Sequence, residues 1–169
     1  MPRVLSASLR VLADIAYSDN LDLQAQQAPI NYNAQMVLGT GSGANQGQLV
    51  WSDTRTLAAS ANEDLDLNGA TLVDAFGAAL NFTKIRGLIV RADAANVNNV
   101  IVGAAATNGV FTMFGAATHT VTVRPGGVFA LFAPDNTAYA AVAATADLLR
   151  IANSGAGTTV TYDIIVIGS

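Results

Sequence analysis

Residues 119–139 read HTVTVRPGGVFALFAPDNTAY, and the fold turns on how this stretch is read. Two runs of strand character, HTVTVR (119–124) and GVFALFA (127–133), meet at Arg124-Pro125-Gly126-Gly127. Proline second and glycine third is the order a type II turn requires, because its third residue takes a positive φ. The second run is apolar without a break, so Val128, Phe129, Leu131 and Phe132 belong to a scaffold rather than to a solvated loop.

The same texture extends in both directions. Strand-like runs are QLVWSDTRTLAAS (48–60), LNFTKIRGLIVRADA (80–94), NVIVGAA (99–105), VFTMFG (110–115), DLLRIAN (147–153) and TTVTYDIIVIG (158–168). Turn-forming clusters such as AANVNN, TNGV, PDNT and NSGAGT separate them. Short strands so regularly punctuated predict an all-β chain, a sandwich or barrel. One segment, TLVDAFGAAL (71–80), fits a helical period about as well as a strand period.

Composition agrees. Eleven Asp stand against one Glu, Glu63, and seven Arg against one Lys, Lys84. Glu and Lys populate exposed helix faces, whereas Asp prefers turns and caps, so surface helices are not expected. Charged residues make up 12% of the 169-residue chain, about half the usual share. A surface so poor in charge is either polar and uncharged or covered by other chains. The net charge of −4 and the lack of a basic cluster argue against nucleic-acid binding through phosphate neutralisation. The absence of cysteine excludes a disulfide framework and a thiolate metal site. Arg10 and Asp14 interrupt what would be the apolar part of a signal peptide, and no apolar run is long enough for a membrane span.

Residues 1–47 differ from the rest. Leu5, Ala7, Leu9, Val11, Ala13, Ile15 and Tyr17 alternate with mostly polar neighbours, which suits a strand or an extended arm. QAQQAPINYNAQ (24–35) reads as polar and irregular, and GTGSGANQGQ (39–48) as a flexible glycine-rich loop. The chain is thus expected to divide into an N-terminal arm, 1–47, and a β core, 48–169. In the last run Val160, Tyr162, Ile164 and Val166 share one face; the opposite face turns apolar after Asp163, with Ile165 and Ile167. Burial on both faces fits a contact between subunits. The interface candidates are therefore Leu5, Leu9 and Val11 on the arm with Ile165 and Ile167 on the last strand.

Signatures of chemistry are weak. His119, the single histidine, lies in register with Val121 and Val123 without an acid or nucleophile signature beside it, as a strand-end residue would. Around Ser42 there is no nucleophile elbow, and the Gly39-x-Gly41-x-x-Ala44 match to a dinucleotide fingerprint is followed by loop and strand rather than by a helix. DLDLNG (64–69) supplies Asp64, Asp66 and Asn68 at the front of a calcium-loop pattern, but the twelfth position is Ala75. An alternating strand that ends in an Asn-Gly turn is the favoured reading, so no metal, cofactor or catalytic residue is expected. Phe111, Met113 and Phe114 are assigned to core packing rather than to an exposed patch.

Four segments, DTRTLAASANEDLDL (53–67), IRGLIVRADAANVNNVIVGAA (85–105), VTVRPGGVFALFAPD (121–135) and DLLRIANSGAGTTVTYDIIVIG (147–168), together with GSGANQ (41–46), resemble a family of small tailed-bacteriophage virion structural proteins. The resemblance lies in whole strands and brings no catalytic residue. It implies an antiparallel β-sandwich of jelly-roll type with an extended N-terminal arm. It further implies a non-enzymatic capsid decoration (cement) protein on the outer capsid surface, a homotrimer whose partner is the major capsid protein. The alternative it implies is a tail-tip, fibre or head-fibre component that presents loops to a host.

Overall fold

The computed structural model describes residues 3–20 and 22–169, and among these no helix forms. Twelve strands follow one another: β1 (Ala7–Asn20), β2 (Ala25–Thr40), β3 (Gln46–Gly47), β4 (Leu49–Leu57), β5 (Asn62–Asp66), β6 (Lys84–Ala92), β7 (Val100–Ala104), β8 (Thr120–Val123), β9 (Val128–Phe132), β10 (Tyr139–Ala140), β11 (Leu148–Asn153) and β12 (Val160–Gly168). They form three sheets. The ladders between strands are antiparallel except the short pairing of β2 with β3.

Two of the sheets share one buried cluster. The larger runs β4, β12, β6, with β9 and β10 sharing the far edge of β6, and the smaller runs β5, β11, β7, β8. Leu88 and Val90 of β6 and Tyr162, Ile164 and Val166 of β12 are buried with Val100 and Val102 of β7, Leu149 and Ile151 of β11 and Val123 of β8. These are the alternate positions of their strands, so the period-2 pattern read from the sequence is the pattern of burial.

The β8–β9 turn is the one expected. Gly126 takes φ 75°, and the Gly127 amide donates to the Arg124 carbonyl at 2.7 Å. Two expectations fail. Residues 71–80 are neither helix nor strand: Asp74 Oδ1 accepts from the amides of Phe76 and Ala78 at 2.9 and 3.0 Å, and this side-chain capture of backbone donors replaces a helical turn. VFTMFG is not a strand either. The amides of Phe114 and Gly115 both turn back to the Phe111 carbonyl, and the turn sets Phe114 against Phe129 with ring centroids 6.3 Å apart.

The segment 24–35 is also corrected. It lies within β2, which pairs with β1 over fourteen residues, from Ala7↔Leu38 to Asn20↔Ala25. The N-terminal arm is therefore a long two-stranded hairpin. Its start is fastened where Thr40 Oγ1 accepts from the Leu5 amide at 2.7 Å and donates to the Leu5 carbonyl at 3.1 Å.

Candidate interaction surface

The hairpin register gives one apolar face and one mixed face, on which Leu12, Val37 and the pair Ala16 and Pro29 stand among polar residues. One face carries Ala7, Leu9, Val11, Ala13, Ile15 and Tyr17, opposite Leu38, Met36, Ala34, Tyr32, Ile30 and Ala28. The other carries Ser8, Arg10, Leu12, Asp14 and Ser18, opposite Val37, Gln35, Asn33, Asn31 and Gln27. Gln35 Nε2 donates to Ser8 Oγ at 2.9 Å across this mixed face.

The apolar face has two fates. At its base Leu9, Met36 and Leu38 are buried in a second cluster with Ile167, against which Leu5, Val50, Ile89, Phe132 and Ile165 pack. Gly87 permits the approach, because a Cβ there would stand 3.1 Å from Leu9 Cδ1. Four of the five interface candidates, Leu5, Leu9, Ile165 and Ile167, thus meet one another inside the chain. The apolar back of β12 is covered by the chain's own hairpin rather than kept open for a subunit. Val11 marks the border: it is 45% exposed, and beyond it Ile15, Tyr17, Ile30 and Tyr32 are all exposed.

The glycine-rich loop at the hairpin base is held rather than flexible. Arg86, fully buried, donates from Nη2 to the carbonyls of Ser42 and Gly43 at 3.0 and 2.9 Å. The Gly43 amide donates to Gln46 Oε1 at 2.9 Å, and the Asn45 amide to the Pro134 carbonyl at 2.8 Å. Nearby, Asp135 is held below the usual carboxylate range, first by the Ala138 amide, then by that of Thr137, with a smaller pull from Arg86. The sequence signal for Arg86 was an arginine inside the apolar run IRGLIV.

A cleft of about 520 Å³ opens beside the edge of β4, between Val50, Trp51 and Asp53 on one side and Arg3, Val73 and Phe76 on the other. Arg3 pairs with Asp74 and stands over the Phe76 ring, 5.2 Å from its centroid. That edge of β4 has no strand partner among the described residues. The carboxylates here are occupied: Asp74 by Arg3 and two amides, Asp53 by Arg55 Nη1 at 2.9 Å. The cleft lies beside an unpaired strand edge and is lined by apolar side chains around these engaged carboxylates.

Glu63, Asp64 and Asp66 are engaged within the fold. Glu63 of β5 accepts from Tyr162 Oη at 2.6 Å and from Arg55 Nε at 2.7 Å, tying the smaller sheet to the larger. Burial first, then the bond to Glu63, pushes the Tyr162 phenol well above its ordinary value; the Glu63 carboxylate likewise raises the Arg55 guanidinium. The residues of the calcium-like pattern each have partners within the fold. Asp64 takes a two-pronged ion pair from Arg150 Nε and Nη2, both at 2.7 Å. Asp66 Oδ1 accepts from the Asn68 amide, and Asn68 Nδ2 donates to the Ala141 carbonyl, both at 3.1 Å. His119 stands just ahead of β8 with Nδ1 3.0 Å from the Phe114 carbonyl. Met113 and Phe114 pack on the core, whereas Phe111 stays 43% exposed.

Comparison with protein-family models, with curated proteins and with solved structures finds no match for this chain.

Proposed function

We propose that the chain is a non-enzymatic structural protein of a tailed-bacteriophage virion, a capsid decoration (cement) protein whose two facing sheets form a jelly-roll type β-sandwich. One observation carries this reading: the ordered body projects a hairpin with an all-apolar face that the chain itself covers only at the base. A protein built this way completes its burial by assembling. Asp74 and Asp53 in the cleft and Glu63 and Asp64 beyond it are engaged with arginines of the chain, which supports a structural role for them.

On this reading homotrimers sit on the outer capsid surface and bridge subunits of the major capsid protein. Every bridge adds buried area that must be exposed before the shell ruptures. The groove beside β4, with its unpaired strand edge, is a place for a segment of a capsid subunit to add as a strand.

The test is copy number in purified particles, read from a quantitative gel against the major capsid protein. Near-stoichiometric abundance is the expected result, and absence from particles overturns the reading. A few copies per particle supports the second reading, a tail-tip, fibre or head-fibre component. The exposure of Tyr17 (73%) and Leu23 (101%) near the hairpin tip favours that alternative, because both stand where a host surface would first be met.

A further inference from the structure

The distal half of the hairpin raises a question that the virion reading does not answer, namely what lies on its apolar face. From Val11 to Tyr17 on β1 and from Ala28 to Ala34 on β2, no charged residue interrupts that face, and Asp19, opposite Gln26, is the first at its end. A two-stranded hairpin in water is marginal by itself and needs a third element against its apolar side. The base of the same face has that element in Ile165, Ile167 and Ile89. The distal half continues the same stripe in the same register and has none among the described residues.

The chemistry of the stripe narrows its occupant. A lipid surface is disfavoured: an interfacial segment flanks its apolar face with Lys and Arg, whereas this hairpin carries Asp14 and Asp19 with Arg10 as its single cation, in a chain of net charge −4. Nucleic acid is disfavoured by the same charges. A partner recognised through polar groups would leave some mark on the stripe, and its only polar atoms are the phenol oxygens of Tyr17 and Tyr32. What fits is another flat, uncharged face of β-branched, aromatic and alanine side chains, and the chain makes one with every copy. Two such faces laid together stack as sheets do, about 10 Å apart. They would cover on the order of 1,200 Å² in total, the lower bound of a standard specific interface. A closed two-fold contact between like faces is also the commonest form of assembly, and it is a contact separate from the one that would close the proposed homotrimer.

We infer that the distal apolar face of the β1–β2 hairpin is a self-association surface, covered by the same face of a second copy of this chain. The inference starts from the same uncovered face as the virion reading, but purified protein suffices to test it, and its failure would leave the copy-number test of that reading standing.

Ile15 and Ile30 face each other in the register, so Ile15→Asp with Ile30→Asp puts two carboxylates at the centre of the contact. Leu12→Asp, on the opposite face, is the control. By light scattering on a sizing column the wild-type protein and the Leu12→Asp variant are expected to associate at micromolar concentration. The double variant should need on the order of a hundredfold more protein to do so. A monomeric wild type, or a double variant that associates as well as the wild type, overturns the inference. A second measurement guards against a double variant that merely unfolds the hairpin. The chain has no cysteine, so Ala13→Cys on the apolar face and Ala16→Cys on the mixed face each introduce one thiol. A short bis-maleimide should join two Ala13→Cys chains and leave Ala16→Cys chains single. Equal yields from the two, or none from Ala13→Cys, place the contact elsewhere and overturn the inference.

Discussion

Ile151 in β11 and Ile15 in β1 have much in common. Each sits mid-strand, and each lies opposite an apolar residue of a neighbouring strand, Val102 for one and Ile30 for the other. Yet Ile151 is fully buried and Ile15 is 47% exposed. The difference is the second layer. In the body two sheets bury one shared cluster, whereas the distal hairpin has a complete ladder and nothing over it among the described residues. Strand pairing satisfies the backbone, but the apolar area leaves water only when another layer closes over it.

Truncation at the two positions tests that contrast most severely. Ile151→Ala should destabilise the body by about 2–5 kcal/mol, because it leaves a cavity in a closed core. Ile15→Ala, in dilute protein, should cost less than about 0.5 kcal/mol. Urea unfolding of both variants measures this, and similar losses would mean that the hairpin face is covered within the chain after all.

The tie between the sheets sharpens the comparison, since it belongs to the body alone. Glu63→Gln weakens the bonds from Arg55 and Tyr162 and should cost about 1–3 kcal/mol, without loosening the hairpin. Tyr162 also gives the body a pH dependence. Its phenol is raised above the ordinary 10.0 in the folded state, so the folded chain keeps the proton where the unfolded chain has released it. The resulting stabilisation is complete below pH 10 and falls as the pH climbs further. Melting temperatures followed between about pH 8 and 11 should show this decline in the wild type and a shallower one in Tyr162→Phe. Equal slopes would remove Tyr162 as the cause.

Within the body the smallest effect belongs to the turn. Gly126→Val places a β-branched residue at φ 75°, at a cost of about 1–2 kcal/mol. The new Cβ would meet only ordinary contacts, 3.5 Å from Ala94 Cβ, so conformation alone sets the loss. An unchanged melting temperature would show that the turn relaxes without resistance.

Most of the body could be read in advance because its strands are short, apolar on alternate positions and bracketed by turn residues. β2 escaped for a reason visible in hindsight. Ala28, Ile30, Tyr32, Ala34, Met36 and Leu38 do alternate, but two of the six are alanines and Pro29 sits among them, so the stripe looks like irregular polar chain. VFTMFG misled in the opposite direction: its aromatics have strand propensity, but Gly115 takes φ 81° and its amide closes a turn onto the Phe111 carbonyl. The meeting of Leu9 with Ile167 was beyond reach, because both apolar faces were legible while nothing in their spacing says that they cover each other. The clasp of Arg86 on the loop of Ser42 and Gly43 depends equally on tertiary placement.

β12 lies between β4 and β6 in the larger sheet, and its two faces serve two clusters. It is also the last of the twelve strands to leave the ribosome. Until it arrives β4 has no neighbour on either side, because Leu57 waits for Val160 and Leu49 for Gly168, whereas the hairpin, closed by contacts local in sequence, can zip within microseconds of emerging. Until β12 emerges, the hairpin therefore lacks the residues that complete the cover of its base, beside a body that cannot yet shut. That interval, rather than the mature fold, is when the chain most needs shielding from its neighbours on the same message.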